Sequence, residues 1–431
     1  MKEVILKIHD RSIRLDEEFF TLLLIKPLLL LFLYFSLYSR TEGFAGFTGG
    51  QLSVLLTFGL LLLVLFHFFF LNKNWYLSQL AYTITIFFIL SGVIPLISFF
   101  IFDSNPSLIF RFSVEIAITF FMFLIFYYLI REQIITPKFL IYAIAILGVI
   151  ASLQLLSNLI GAIRVRRLFG LGGVNYLGTS LALGAFSWLM ITYNASIQNK
   201  SFAKKLISYF GLLVVLVALI LSGTRAASLA FIVGIFLYQF FGMKSKRFRY
   251  YLIGLTGLLS VAIFIIAANI DLSLLWSRYS FAQLNYMAEI RFDIYKRSIV
   301  DMSIMEFLVG RPDLYLFSSE DSGERFVNPH NLLLATIRYN GILPFMILVL
   351  ISFIILYKYF ALYVVHKSVE RYRLMEASII VFLMIVTFYT MLSGGRFTRS
   401  FTFYIVIGYA VGYYEIFRNL ISDKQYKKII L

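Results

Sequence analysis

Apolar stretches of about 20 residues recur from one end of this chain to the other, and that recurrence limits the possible folds more than any other feature. A run of that length, wound as a helix, spans the hydrocarbon core of a bilayer. Composition agrees: 61% of residues are hydrophobic and 14% charged, against roughly 25% charged in an ordinary soluble domain. Twelve spans are expected, near 19–39, 51–71, 79–102, 112–130, 139–160, 176–197, 206–221, 226–242, 250–270, 331–357, 375–393 and 400–418. The seventh is short enough to be re-entrant. The first 18 residues are charged and hold no small-residue cleavage site, so the first run is expected to stay as a helix.

The sequence thus predicts an all-α polytopic membrane protein. Residues 1–18 form a cytoplasmic N-terminus, 19–270 spans one to nine, and 271–330 a long extracytoplasmic loop. Residues 331–418 form spans ten to twelve and 419–431 a cytoplasmic C-terminus. Orientation follows from basic residues. Lys2, Lys7, Lys73, Lys204, Lys205, Lys244, Lys246, Lys358, Lys424 and Lys427, with the fewer arginines Arg11, Arg14, Arg131, Arg247, Arg249, Arg371, Arg373 and Arg418, fall on one side, which the positive-inside rule makes cytoplasmic. The net charge of +16 is explained by that placement, so no nucleic-acid partner is expected. Cysteine is absent, which excludes disulfides, thiolate catalysis and Cys-ligated metal.

The outer side carries arginine almost alone: Arg40, Arg111, Arg164, Arg166, Arg167, Arg225, Arg278, Arg291, Arg297, Arg311, Arg325, Arg338, Arg396 and Arg399, with Lys296 the exception. Topology needs only positive charge, so the choice of arginine has another cause. Its planar fork grips phosphate oxygens with two hydrogen bonds and tolerates partial burial. A phosphorylated ligand at the outer face is one reading; lipid headgroup contact is the plainer one.

Four constellations stand out. Arg164-Val-Arg166-Arg167-Leu-Phe-Gly-Leu-Gly-Gly-Val-Asn175-Tyr-Leu-Gly178 places three arginines before a glycine-rich turn and a helix start. A helix N-terminus with free N–H groups suits an anion, and spacing does not separate Arg166 from Arg167. Ser222-Gly-Thr-Arg225-Ala lies in a tight turn between two short apolar runs, putting Arg225 at or just below the surface, where an arginine is costly. Residues 284–309 look helical. In that helix Arg297 has Asp293 and Asp301 four residues away, the geometry of surface ion pairs. Arg291 has no acidic residue three or four positions away and is open to a ligand. Asn328-Pro-His330-Asn331 opens span ten. His9 and His366 fall on the inner side and His67 inside span two, so His330 is the outer histidine, with an ordinary pKa suited to general-base work. Arg338 stands seven residues past Asn331 on nearly the same face, about 10 Å deeper, and needs a partner there.

In this order and topology the motifs resemble the superfamily of O-antigen ligases and Wzy-type polysaccharide polymerases, over about residues 160–345. The resemblance implies an all-helical GT-C-type glycosyltransferase that needs no metal or cofactor and uses polyprenyl-pyrophosphate-linked oligosaccharides as donor and acceptor. It implies roles for Arg167, Arg225, Arg291 and His330, and residence in a bacterial plasma (inner) membrane with the site facing outward. Arg164, Arg166, Asn175, Asn331 and Arg338 are expected to help bind substrate. Membrane lipid and other polysaccharide-assembly membrane proteins are the expected partners. The chain departs from the family at Val174-Asn175-Tyr176, where Asn-Pro-Asn is common, and at Arg338 and Pro344. A capsule, exopolysaccharide or O-antigen repeat-unit polymerase is expected, with an O-antigen ligase as the alternative. The competing class is a flippase for lipid-linked sugars, which would more often show matched broken helices in two halves. A third reading is a cell-wall glycan polymerase, which would place an essential acidic residue in its large outer loop.

Overall fold

The structure is a computed structural model, and it describes residues 24–38, 48–70, 77–102, 106–157, 174–197, 200–241, 246–269, 271–278, 280–311, 317–318, 325–326, 331–365, 370–393 and 401–422. The elements are α1 (Lys26–Leu33, continued by a π turn over Tyr34–Tyr38), α2 (Gly49–Phe70), α3 (Gln79–Phe102), α4 (Pro106–Arg131), α5 (Pro137–Ser157), α6 (Val174–Ile197), α7 (Phe202–Leu221) and α8 (Arg225–Phe241). They continue with α9 (Lys246–Asn269), α10 (Ser273–Arg278), α11 (Phe281–Val300), α12 (Ile304–Val309), α13 (Leu332–Asn340), α14 (Ile342–Val365), α15 (Glu370–Ser393) and α16 (Phe401–Ser422). Between α12 and α13, β1 (Phe317–Ser318) and β2 (Arg325–Phe326) make a two-residue antiparallel ladder, Phe317 opposite Phe326.

Among the described residues, the expected apolar runs fall on helices. Among the described residues six helices are long and apolar enough to cross a membrane: Gln51–Phe68, Gln79–Phe102, Ile109–Arg131, Pro137–Ser157, Phe202–Leu221 and Ile342–Val364. The chain is therefore an all-α membrane protein. The seventh run is longer than expected, a full 20-residue helix.

Two expected helices are broken. The run 331–357 divides at Gly341 into α13 and α14, and the stretch 284–309 divides at residues 301–303 into α11 and α12. The second break has a local cause. Ser303 Oγ accepts from the Glu306 N–H at 3.2 Å, and Glu306 Oε2 accepts from the Ser303 N–H at 2.9 Å. This reciprocal capping box starts a new helix. The first break is made by Gly341 with φ +80° and ψ −179°, a region open essentially to glycine alone.

Small residues let the helices approach closely, as membrane helices require in the absence of a hydrophobic drive between them. Gly408 and Gly412 of α16 lie against the backbone of α4; a Cβ added at either would stand 2.7 Å from the Phe123 or Tyr127 carbonyl oxygen. Gly148 of α5 and Gly184 of α6 face each other, a Cβ on Gly148 falling 3.3 Å from the Gly184 Cα. The Tyr38 hydroxyl reaches the Ile144 and Ser180 carbonyls there, each at 3.1 Å, which ties the π turn after α1 to that crossing. Trp188 of α6 donates from Nε1 to the Ala145 carbonyl at 2.7 Å, with its indole seated over Gly211 of α7. His67, expected inside the second span, is buried on α2 with Nδ1 3.3 Å from the Tyr128 hydroxyl.

Pro95 inside α3 has no N–H to offer the Ser91 carbonyl, and an unpaired carbonyl in apolar surroundings is costly. Asn340 at the end of α13 supplies the missing donor, its Nδ2 lying 3.0 Å from the Ser91 oxygen.

A Gly412→Ala substitution is expected to destabilise the protein by about 1–3 kcal/mol, since a carbonyl of α4 cannot yield as a side chain would. Gly257→Ala, where an added Cβ meets nothing within 4 Å, should be neutral or slightly stabilising through helix propensity. Thermal denaturation of the two purified variants in detergent checks the contrast.

Candidate functional site

The second constellation packs against the described end of the first, at Gly178. The turn after α7 is built by Gly223 with φ +63°, by the Ser222 hydroxyl donating to the Leu219 carbonyl at 2.7 Å, and by the Thr224 N–H donating to Ser222 Oγ at 3.3 Å. Thr224 nests on the first turns of α6 at Gly178, where an added Cβ would fall 2.4 Å from the Thr224 methyl carbon. Arg225 opens α8 from this turn, half-buried. Asn175 lies in the first turn of α6. The glycine at 178 thus has a packing reason: it lets the Ser-Gly-Thr turn sit against the helix that follows the arginine-rich segment. Arg164, Arg166, Arg167 and His330 lie outside the described residues.

The segment that carries Arg291 and the helix that opens at Asn331 also meet, through a pair of helix ends. Gly310 closes α12 with φ +70° and ψ 170°, and Gly341 closes α13 in the same glycine region. The two ends pack backbone to backbone. A Cβ on Gly341 would stand 2.2 Å from the Leu308 carbonyl oxygen, and one on Gly310 would stand 2.5 Å from the Asn340 nitrogen. The Arg311 N–H donates to the Arg338 carbonyl at 2.7 Å, closing the clasp.

Charge reinforces it. Arg311 Nη1 donates to Glu306 Oε1 at 3.1 Å, and the Arg311 guanidinium lies over the Phe102 ring, 5.2 Å from its centroid. Arg338 is 5% exposed and donates from Nη1 to the Ser298 carbonyl of α11 at 3.3 Å. Burial alone would raise the Glu306 carboxyl; the Ser303 N–H, the Arg311 hydrogen bond and the charges of Arg311 and Arg338 outweigh it and hold the group below its ordinary range. The Ser298 carbonyl is thus one partner for Arg338 within the protein.

The remaining residues sort as follows. Asn331 caps α13, its Oδ1 accepting from the Leu333 and Leu334 N–H groups at 3.0 and 3.1 Å. Arg297 pairs with Asp293 at 2.9 Å on the surface of α11, as its spacing predicts. Arg291 is half-buried on the same helix, and it has no hydrogen bond or ion pair with any described residue. The two halves of the site share a neighbour: α15 packs against α6 and α8 on one side and against α13 on the other.

Sequence reasoning passed over Glu306 as one of several scattered carboxylates. Its signal was legible, since Ser303-Ile-Met-Glu306 is a capping-box spacing. Asn340 carried no such signal; its role follows only from Pro95, which is 245 positions earlier in the chain (340 − 95 = 245).

No family model matches the sequence, and no curated protein matches it.

Because the folded state holds the Glu306 carboxyl below its ordinary range, the carboxylate stabilises the clasp above that range, and the contribution is lost as pH falls through the depressed value. Glu306→Gln keeps an acceptor for Ser303 but removes the charge. Its loss should cost about 1–3 kcal/mol near neutral pH and should flatten the fall in melting temperature between pH 7 and about pH 3, most of which lies below pH 4.5. A variant that matches the wild-type protein at both pH values would show that the charge contributes nothing.

Proposed function

We propose that this chain is a metal-independent, inverting glycosyltransferase of GT-C type. In this reading it has about twelve transmembrane helices and polymerises polyprenyl-pyrophosphate-linked glycan repeats at the outer face of a bacterial plasma membrane. The observation that carries this reading is the arginine-rich outer side of the sequence, whose Arg291 is half-buried with no acidic partner among the described residues. Two further facts support it. The turn that presents Arg225 is built onto the helix following Arg164, Arg166 and Arg167. The residue after His330 caps a helix whose far end is locked to α3 and α12, so the backbone beside the histidine starts from a fixed point.

The chemistry follows from charge. The donor arrives laterally in the membrane. Arg225, Arg291 and Arg167 (or Arg166) hold its pyrophosphate, with Arg164 and the N-terminal turn of α6 near Asn175 adding positive potential. The acceptor hydroxyl oxygen attacks the anomeric carbon from the face opposite the leaving group. The bond from that carbon to the phosphate oxygen breaks, and its electron pair leaves with polyprenyl pyrophosphate. His330 takes the hydroxyl proton. Arginines aimed at the leaving group stabilise charge that grows in the transition state, which is where such stabilisation accelerates a reaction. Asn331 holds the helix after His330 through its side-chain oxygen, and Arg338 acts through the clasp.

Polymer ladders formed by variants matched for membrane expression test the assignment. Arg225→Lys and Arg291→Lys should lower product about 100-fold or more, nearly as far as the alanine variants, since lysine keeps the charge and loses the fork. His330→Ala should abolish product and spare donor binding. Arg297→Ala should stay within about twofold of wild type, because a surface ion pair contributes little. Wild-type ladders from Arg291→Ala or His330→Ala would overturn the site.

A further inference from the structure

Large apolar side chains are exposed along α11 and α12. Phe281, Phe292 and Ile299 recur at spacings of eleven and seven residues, which superimpose within about 20° on an α-helix. All three are exposed, Phe292 at 72%. In α12, Ile304 is 80% exposed, and Met305 and Leu308 are exposed beside it. Ile294 and Ser298 face the protein, buried; exposed Asn285 interrupts the stripe, and Glu289, Asp293 and Lys296 flank it, with Tyr286 and Val300 exposed among them. Arg291 sits between the buried side and the apolar stripe. A patch of this kind on a protein in water marks a contact surface.

What covers it is given by depth. The Asn340 side chain bonds to Ser91, which lies well inside the candidate span Gln79–Phe102. Gly341, next to it, meets the Leu308 carbonyl of α12 and precedes the candidate span that starts at Ile342. Arg311, two residues past α12, stacks on Phe102, the last residue of α3. Ser91 lies midway along α3 and Phe102 ends it, so α12 lies between the middle and the end of one span and beside the start of another, at or below the membrane surface on that side. The exposed apolar surfaces of those spans, Phe100 at 83% and Met346 at 60%, run up to it. A helix at that level with one apolar, one polar and one protein-facing side fits the boundary between headgroups and acyl chains.

We propose that α11 and α12 form an in-plane interfacial segment. Phe281, Phe292, Ile299, Ile304, Met305 and Leu308 would be embedded in the lipid at the bilayer face where α3 ends and α14 begins. This inference rests on the membrane character of the chain and not on the sugar chemistry proposed above. It also gives Arg291 a level, that of lipid phosphates, at the seam between the stripe and the protein.

The chain has no cysteine, so single cysteines report cleanly. Full-length Phe292→Cys, Ile304→Cys and Leu308→Cys proteins, labelled with an environment-sensitive fluorophore, would be reconstituted in vesicles of phosphatidylcholine and phosphatidylglycerol. Met346→Cys serves as the lipid reference and Asp293→Cys as the water reference. Expected is quenching by lipids spin-labelled near the headgroup, with protection from aqueous iodide, at 292, 304 and 308 as at 346. Asp293→Cys should show the reverse. Iodide quenching at 292 and 304 equal to that at 293 would overturn the proposal. So would protection from iodide without lipid quenching, which would mean that protein, such as a second copy, covers the stripe. These side chains are exposed, so the substitutions open no core; should one variant fail to fold, Ile299→Cys replaces it on the same stripe.

Discussion

The contact between Leu308–Gly310 and Tyr339–Gly341, where two helix ends meet backbone to backbone, joins α11 and α12 to the bundle. Only glycine fits at either end: both sit at positive φ, and an added Cβ at each would fall on peptide atoms of the other strand of chain. Through this contact α11 is anchored to α13 by Arg338, α12 to α3 by Arg311 on Phe102, and α13 to α3 by Asn340 on the carbonyl that Pro95 leaves open. Three departures from regular helix, two glycine breaks and one internal proline, answer one another within a small volume.

That arrangement follows from the solvent. In an apolar medium a broken helix must have its freed groups satisfied by protein. Asn340 does this for α3, and the Arg311 N–H does it for the end of α13. The rest of the bundle uses small residues to the same end. Gly408 and Gly412 on α4, and Gly148 on Gly184, bring backbones close enough for dispersion contacts to replace the missing hydrophobic drive. Gly178 applies the principle at the candidate site, where it admits the turn that presents Arg225.

Much of this was legible beforehand, for physical reasons that differ by element. The apolar runs fell on helices because a helix is what such a run forms in lipid. The Arg297–Asp293 pair was set by i, i+4 spacing, and the burial of His67 by its position inside a run. The break at 341 was hidden because the residues on both sides are apolar, so hydropathy passes through it; only the glycine marks it. The break at 301–303 was readable from Ser303 and Glu306, but the charge periodicity of 284–309 continued across it and read as one helix. The partner of Arg338 was invisible, since the Ser298 carbonyl lies 40 positions away. For the site itself, the sequence pointed to residue types, and the fold explains why Gly178 and the Ser-Gly-Thr turn accompany each other. The segment bearing Arg164, Arg166, Arg167 and His330 lies outside the described residues, so its reading still rests on charge and order along the chain.

The two proposals meet at Arg291. A helix lying in the membrane surface would hold this guanidinium where the phosphates of a membrane-borne donor travel, while the lipid tail stays in the bilayer. The most direct test of catalysis is reconstitution of the purified protein in vesicles with a defined polyprenyl-pyrophosphate oligosaccharide, in the presence of EDTA, following both glycan length and free polyprenyl pyrophosphate. The account predicts elongated glycan with one polyprenyl pyrophosphate released for each repeat joined. Donor that crosses the membrane with its pyrophosphate–sugar bond intact and no elongation, or elongation that appears only when a divalent metal is restored, would contradict it.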